Sequence, residues 1–249
     1  MTVLGLAPEQ LAVALSAALA AGFVRGLAGF GLAILLVPVL GLAVPPREAV
    51  VVANGLGLLI GLVGLRKIWG HAERSALHIS ALAVVATPLG VWALARTDPP
   101  LARVLIALVA LAAFVLVLLP KRREDHAPSR AETGLTGIAS GVLTGFAGMP
   151  GPPVVPYYLR RAIPPQVARA SMMTVFLFTA AAGCLSALAL GVATWREPLL
   201  ALLLYPAVLV GNWLGSRAFG HVGEAAWRIF TGVVLGASAL AALAKLLLA

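Results

Sequence analysis

Acidic residues are scarce in this chain and confined to particular places. Only nine of 249 residues are Asp or Glu. All nine (Glu9, Glu48, Glu73, Asp98, Glu124, Asp125, Glu132, Glu197 and Glu224) lie at or beyond the ends of hydrophobic runs. With no carboxylate inside a run, a metal-cation pathway, a carboxylate proton relay and an intramembrane aspartyl protease are all disfavoured. Histidine is as sparse, four in all, and none lies deep in a run; His78 sits one turn past Arg74. No His-x-Glu or paired-His spacing suggests a metal site, and no serine has a candidate histidine base in the same bundle. No cofactor and no enzymatic activity are therefore expected. The single cysteine, Cys184, excludes an intrachain disulfide and reads as a packing residue. No Lys or Arg precedes Arg25, so the start of the chain does not resemble a cleaved signal peptide.

Charge of either sign is short. Charged residues make up 11% of the chain, against about 25% for a soluble domain. Hydrophobic residues make up 61%, and the mean hydropathy is +1.02. A soluble fold would have nothing with which to cover its surface. Instead there are long uncharged runs, such as Gly26–Pro46 and Ala170–Trp195, with Val104–Leu119 slightly shorter. Runs of this length cross a hydrocarbon core of about 30 Å. The net charge of +9 does not point to nucleic acid, because the basic residues fall between hydrophobic runs, where they set topology.

The apolar runs are 8–25, 29–44, 48–66, 76–95, 101–119, 134–148, 151–159, 166–190, 198–216 and 226–248. The charged stretch "KRREDHAPSRAE" at 121–132 divides them into halves, and the halves repeat. Gly22, Gly26 and Gly29 match Gly141, Gly145 and Gly148 at an offset of 119, as Pro45-Pro46 matches Pro164-Pro165. "GVWALAR" (90–96) matches "GNWLGSR" (211–217) at 121. The expected organisation is one all-α polytopic membrane domain: repeat 1 over 1–120, a cytoplasmic linker over 121–133 and repeat 2 over 134–249. Each repeat is a broken helical hairpin followed by three transmembrane helices.

Orientation follows from the basic residues. If the first two runs of each half fold back on themselves, one face carries Arg66, Lys67, Arg74, Lys121, Arg122, Arg123, Arg130, Arg160, Arg161, Arg169, Arg217 and Arg228. The other carries Arg47, Arg96, Arg103, Arg196 and Lys245, a split of 12 to 5. If each pair instead makes one crossing, the split is 9 to 8. Cytoplasmic loops collect Lys and Arg, which favours the hairpins. It also places both termini outside and makes the copies inverted, an architecture common in secondary transporters.

"GLAGFG" (26–31) and "GFAGMPGPP" (145–153) hold matching places in the copies. Non-helical backbone at membrane depth survives only inside protein or beside a polar cavity, and paired Gly/Pro breaks point to a binding site. Helix N-termini after such breaks offer free N–H groups and partial positive charge, which suits an anion. The bland alternative is close packing through small-xxx-small pairs, which fits Gly22/Gly26 and Gly141/Gly145. It leaves Gly31, Pro150, Gly151, Pro152 and Pro153 unexplained. Arg25 reads equally as a ligand or as a snorkelling anchor, since Pro8 to Arg25 could rise about 27 Å, and its counterpart in the second copy is Thr144. Ser171, Asn212, Thr87 and Tyr158 are further polar candidates, for which interhelical hydrogen bonding is the ordinary role. Trp69, Trp195 and Trp227 fall at run ends as interface anchors.

The segments "GFVRGLAGFGLAILLVPVL" (22–40) and "GVLTGFAGMPGPPVVPYYL" (141–159) resemble the paired glycine motifs of the sulfite exporter TauE/SafE family, also called toluenesulfonate uptake permeases. The length, duplication, basic central loop and "GNWLGSR" stretch are similar too. The resemblance implies a bacterial inner-membrane carrier of sulfite or organosulfonates such as sulfoacetate. It carries Gly26, Gly29, Gly31 and Pro38 to the first motif and Gly145, Gly148, Gly151 and Pro156 to the second. Where many members run glycines together in the second motif, this chain has Pro150-Gly151-Pro152-Pro153. The expected site is a small anion between the hairpins, held by backbone N–H groups near Gly29–Gly31 and around Gly151. Gly26, Phe30, Gly148, Met149, Pro150, Pro152 and Pro153 surround it, and Arg25, Asn54, Thr144 and Tyr157 contribute side chains. Other readings are a passive anion channel or a non-transporting assembly factor. Besides the lipid bilayer and the anion, a homodimer is compatible with the sequence.

Overall fold

The computed structural model describes residues 4–68, 70–118 and 128–218. These form helices α1 (Pro8–Ala28), α2 (Leu32–Ala43), α3 (Pro46–Ile68), α4 (Arg74–Arg96), α5 (Pro99–Leu118), α6 (Arg130–Ala147), α7 (Gly151–Leu159), α8 (Pro165–Ala189) and α9 (Arg196–Ala218). Among the described residues six helices are long and apolar enough to cross a membrane: α1, α3, α4, α5, α8 and α9. The expected last helix over 226–248, most of the 121–132 stretch, Trp69 and Trp227 lie outside the described residues.

Helix ends follow local chemistry. Pro8, Pro46, Pro99 and Pro165 each open a helix, where the missing N–H costs nothing because first-turn donors have no intrahelical partner. Gln10 folds back to accept from Ala7 N–H at 3.0 Å, and Ser129 caps α6 by accepting from Glu132 N–H at 3.1 Å. α1 and α6 both stop at a glycine in the left-handed region, Gly29 at φ 82° and Gly148 at φ 70°. That conformation is open to glycine at no steric cost.

Both helix pairs fold back. Gln10 at the start of α1 donates to the Ala43 carbonyl at the end of α2, at 3.2 Å. At the start of α6, Thr133 shares a 3.0 Å hydroxyl bond with Tyr157 near the end of α7. Side-chain bonds also sort the helix ends. Arg196, opening α9, pairs with Glu48 near the start of α3 at 2.9 Å and donates to the Leu4 carbonyl at 2.8 Å. Arg103 near the start of α5 donates to Gly41 near the end of α2, and Arg47 donates to Ala95 near the end of α4. A helix length away, Arg161 after α7 pairs with Glu73 before α4, and Glu73 N–H donates to Ser171 of α8 at 2.9 Å. Hairpin α1–α2 thus opens toward one end of the bundle and hairpin α6–α7 toward the other.

Glycines let the helices cross backbone to backbone. α1 packs on α9, and α6 on α4. A Cβ at Gly26 would overlap the Asn212 carbonyl oxygen, and one at Gly215 the Phe23 carbonyl. At the other crossing, Gly145 meets the Thr87 carbonyl, Gly141 the Ala83 carbonyl and Gly90 the Val142 carbonyl. Without a hydrophobic drive between helices in lipid, such close contact is a principal source of association. α3 and α8 lie against each other, α2 returning along α3 and α7 along α8.

Gly145→Leu should therefore destabilise the protein by about 1–3 kcal/mol through overpacking, read as a lower thermal midpoint in detergent. Gly134, also in α6, faces open space. Gly134→Ala should leave the midpoint equal or higher, alanine being the better helix former by about 1 kcal/mol.

Candidate functional site

A cavity of about 50 Å³ lies between the two breaks, room for a few waters or one small ion. Its walls are Arg25 from α1, Phe30 and Gly31 from the first break, and Leu32, Ala33 and Ile34 from the first turn of α2. Ala53, Asn54 and Gly57 of α3 and Phe176 and Ala180 of α8 complete two sides, and Gly148, Met149, Pro150 and Gly151 close it from the second break.

The local fold aims donors inward. Gly31 stands at φ 97° before α2, so the chain turns sharply after Phe30. The first backbone bond of the new helix is Leu35 N–H to the Gly31 carbonyl at 3.3 Å. Among the described residues the amides of Leu32, Ala33 and Ile34 take no partner, and these residues line the cavity. They form the positive pole of a 12-residue helix. On the other side Gly151 opens α7, and the prolines after it leave no further donor until Val154.

Two polar side chains reinforce this field. Arg25 is 6% exposed and Asn54 3%, yet neither side chain has a hydrogen bond or ion pair among the described residues. An unpaired guanidinium held this deep is costly unless an anion relieves it. Asn54 is pressed against α8 by the space at Gly183, where a Cβ would stand 2.5 Å from Nδ2.

Of the residues expected from sequence, Arg25, Phe30, Gly31, Asn54, Gly148, Met149, Pro150 and Gly151 are brought together here. The others lie elsewhere, each for a visible reason. Gly26 is in the α1–α9 crossing. Gly29 caps α1, its N–H bonded to the Arg25 carbonyl at 2.7 Å. Thr144 is fully buried and spends its hydroxyl on the Ser140 carbonyl at 2.7 Å. Pro152 is buried in the first turn of α7. Pro153 and Tyr157 line a separate groove with Glu132, Thr136 and Arg160, where the Tyr157 hydroxyl meets Thr133. Leu32, Ala33, Ile34, Ala53, Gly57, Phe176 and Ala180 escaped sequence reasoning, being apolar residues in apolar runs. One signal was present: Gly57 and Phe176 stand at the repeat offset of 119.

Among the described residues, six spanning-length helices and two fold-back breaks with a cavity between them define a multi-pass membrane protein. The chain belongs to the sulfite exporter TauE/SafE family, whose model matches residues 14–242, and it is accordingly a membrane transporter. Neither curated proteins nor solved structures gave a match.

Residues kept for binding are expected to be a burden to folding. Arg25→Met and Asn54→Leu remove buried polar groups that have no partner among the described residues, and each should hold or raise the thermal midpoint of the detergent-solubilised protein. Thr144→Val removes a satisfied bond and should cost about 1 kcal/mol. A midpoint lowered by all three alike would count against the site.

Proposed function

We propose that this chain is a secondary transporter of a small sulfur-containing anion, sulfite or an organosulfonate such as sulfoacetate, working as an exporter in the bacterial inner membrane. The observation that carries the proposal is the Arg25 guanidinium, unpartnered among the described residues, beside the open amides of α2 in a cavity bounded by both breaks. A trigonal or tetrahedral oxyanion would take charge-assisted bonds from the guanidinium fork and from N–H groups at once. Among the described residues that line the cavity, Arg25 is the one charged side chain, so the field there is positive.

The proposal treats the chain as a single domain of two inverted copies. The opposite openings of the two hairpins support it, as does the way each copy's first helix crosses the other copy's fourth, α1 on α9 and α6 on α4. Such an arrangement lets one cavity face either side of the membrane by a rocking of one copy against the other. The basic residues of the α4 and α8 starts then lie on the cytoplasmic side, and both termini outside.

In proteoliposomes, sulfite and sulfoacetate should show saturable flux well above that of chloride and acetate, with taurine between them. Arg25→Gln should lower that flux at least about tenfold, the cost of losing one charge-assisted contact. Equal or absent response to every anion would sink the substrate assignment, and unaltered flux in the variant would remove Arg25 from the site. Topology has its own check: a cysteine introduced at Gly5 should react with an impermeant maleimide on intact cells, and one introduced at His71 should not.

A further inference from the structure

A second hollow lies away from the cavity between the breaks. It is a groove of about 330 Å³ walled by the last turn of α5, the start of α6 and the second half of α7. One acid and one base stand on it, Glu132 in the first turn of α6 and Arg160 just after α7. Both are exposed. Among the described residues their side chains pair neither with each other nor with any other group. The neighbour of Arg160 is used differently: Arg161 is held by Glu73 and lies over the Tyr157 ring.

The groove is graded along its length. Leu116 ends the membrane-spanning stretch Pro99–Leu116 of α5, which sets this wall at the edge of the hydrocarbon. Glu132 and Arg160 stand at the same end of the bundle, where the Thr133 and Tyr157 hydroxyls meet. One turn deeper on α6, Thr136 is buried, and its hydroxyl takes no partner among the described residues. Seven residues from the charges along each helix, a depth of about 10 Å, Ala139 and Pro153 leave only apolar wall.

Charge at the mouth, a hydroxyl below it and apolar surface beneath is the order of groups in a phospholipid: headgroup, glycerol esters, acyl chain. A guanidinium fork matches a phosphate. The carboxylate selects the rest of the headgroup. An anionic headgroup would meet Glu132 as a like charge. A choline would bring the cation without an N–H to donate, whereas an ammonium brings three donors.

We propose that this groove binds phosphatidylethanolamine, with its phosphate on Arg160, its ammonium on Glu132 and an acyl chain along Leu116, Ala139 and Pro153. The site is separate from the cavity between the breaks and does not depend on what is transported.

The test uses the full chain in detergent micelles doped with phosphatidylethanolamine, phosphatidylcholine or phosphatidylglycerol of identical acyl chains. Native mass spectrometry reads the bound fraction against lipid mole fraction. Half-saturation by phosphatidylethanolamine should come at least about tenfold below that by phosphatidylcholine, the worth of the charge-assisted hydrogen bonds that a quaternary ammonium cannot make. Glu132→Gln should bring that ratio below about threefold and leave phosphatidylcholine unchanged. Arg160→Gln should weaken both lipids about tenfold, since both carry the phosphate. Both positions are exposed, so neither change burdens the fold. A wild-type ratio near one, phosphatidylglycerol bound as tightly as phosphatidylethanolamine, or a ratio that survives Glu132→Gln overturns the assignment.

Discussion

Backbone amides released inside hydrocarbon have no water to turn to, and the architecture of this protein is organised around that constraint. The chain leaves helical geometry at Gly29–Gly31 and again at Gly148–Pro150. Part of the debt is settled locally. Gly29 and Gly148 turn left-handed, so that their N–H groups return to the Arg25 and Thr144 carbonyls, and proline replaces donors at the start of α7. What is left over, the first turn of α2, is gathered in one chamber with Arg25 and Asn54. Unsatisfied donors are a defect anywhere else in a membrane protein, and here they are the surface we propose for binding.

Holding two breaks face to face demands rigid walls, and glycine supplies them. The α1–α9 and α4–α6 crossings bring backbone against backbone at Gly26, Gly215, Gly141 and Gly145, so the outer arm of each hairpin is fixed by a helix of the other half. Side chains fasten the two ends of the bundle: Arg196 with Glu48 and the Leu4 carbonyl at one, Arg161 with Glu73 and the Ser75–Tyr158 hydroxyl pair at the other. Partly exposed ion pairs contribute little to stability one by one. Each nevertheless joins a residue of the first half to one of the second.

Much of the helical order was legible because lipid imposes a simple grammar. The run 151–159 coincides with α7, and the repeated proline pairs stand at the starts of α3 and α8. Trp195 is exposed at a helix end, as an interface anchor should be. The site was legible where residue type is unusual for a membrane helix: Arg25, Asn54, and the Gly/Pro clusters. It was illegible where type is ordinary. Phe176 and Ala180 look like any other residues of an apolar run, and only the packing of α8 beside the breaks brings them to the cavity. Thr144 and Tyr157 illustrate the reverse. Their hydroxyls look like ligands in sequence, yet each lies near a closer partner, the Ser140 carbonyl and Thr133.

Composition and period, then, carried the membrane class, the duplication and the places where helices must break, because hydropathy and the steric demands of Gly and Pro act within a few residues of themselves. Which donors remain open and which glycines pack and which bend were decided by tertiary structure alone. Those properties depend on distances between residues far apart in the chain, such as Gly29 and Arg169 or Gly26 and Asn212. No local preference encodes such distances; they exist only once the two halves close on each other.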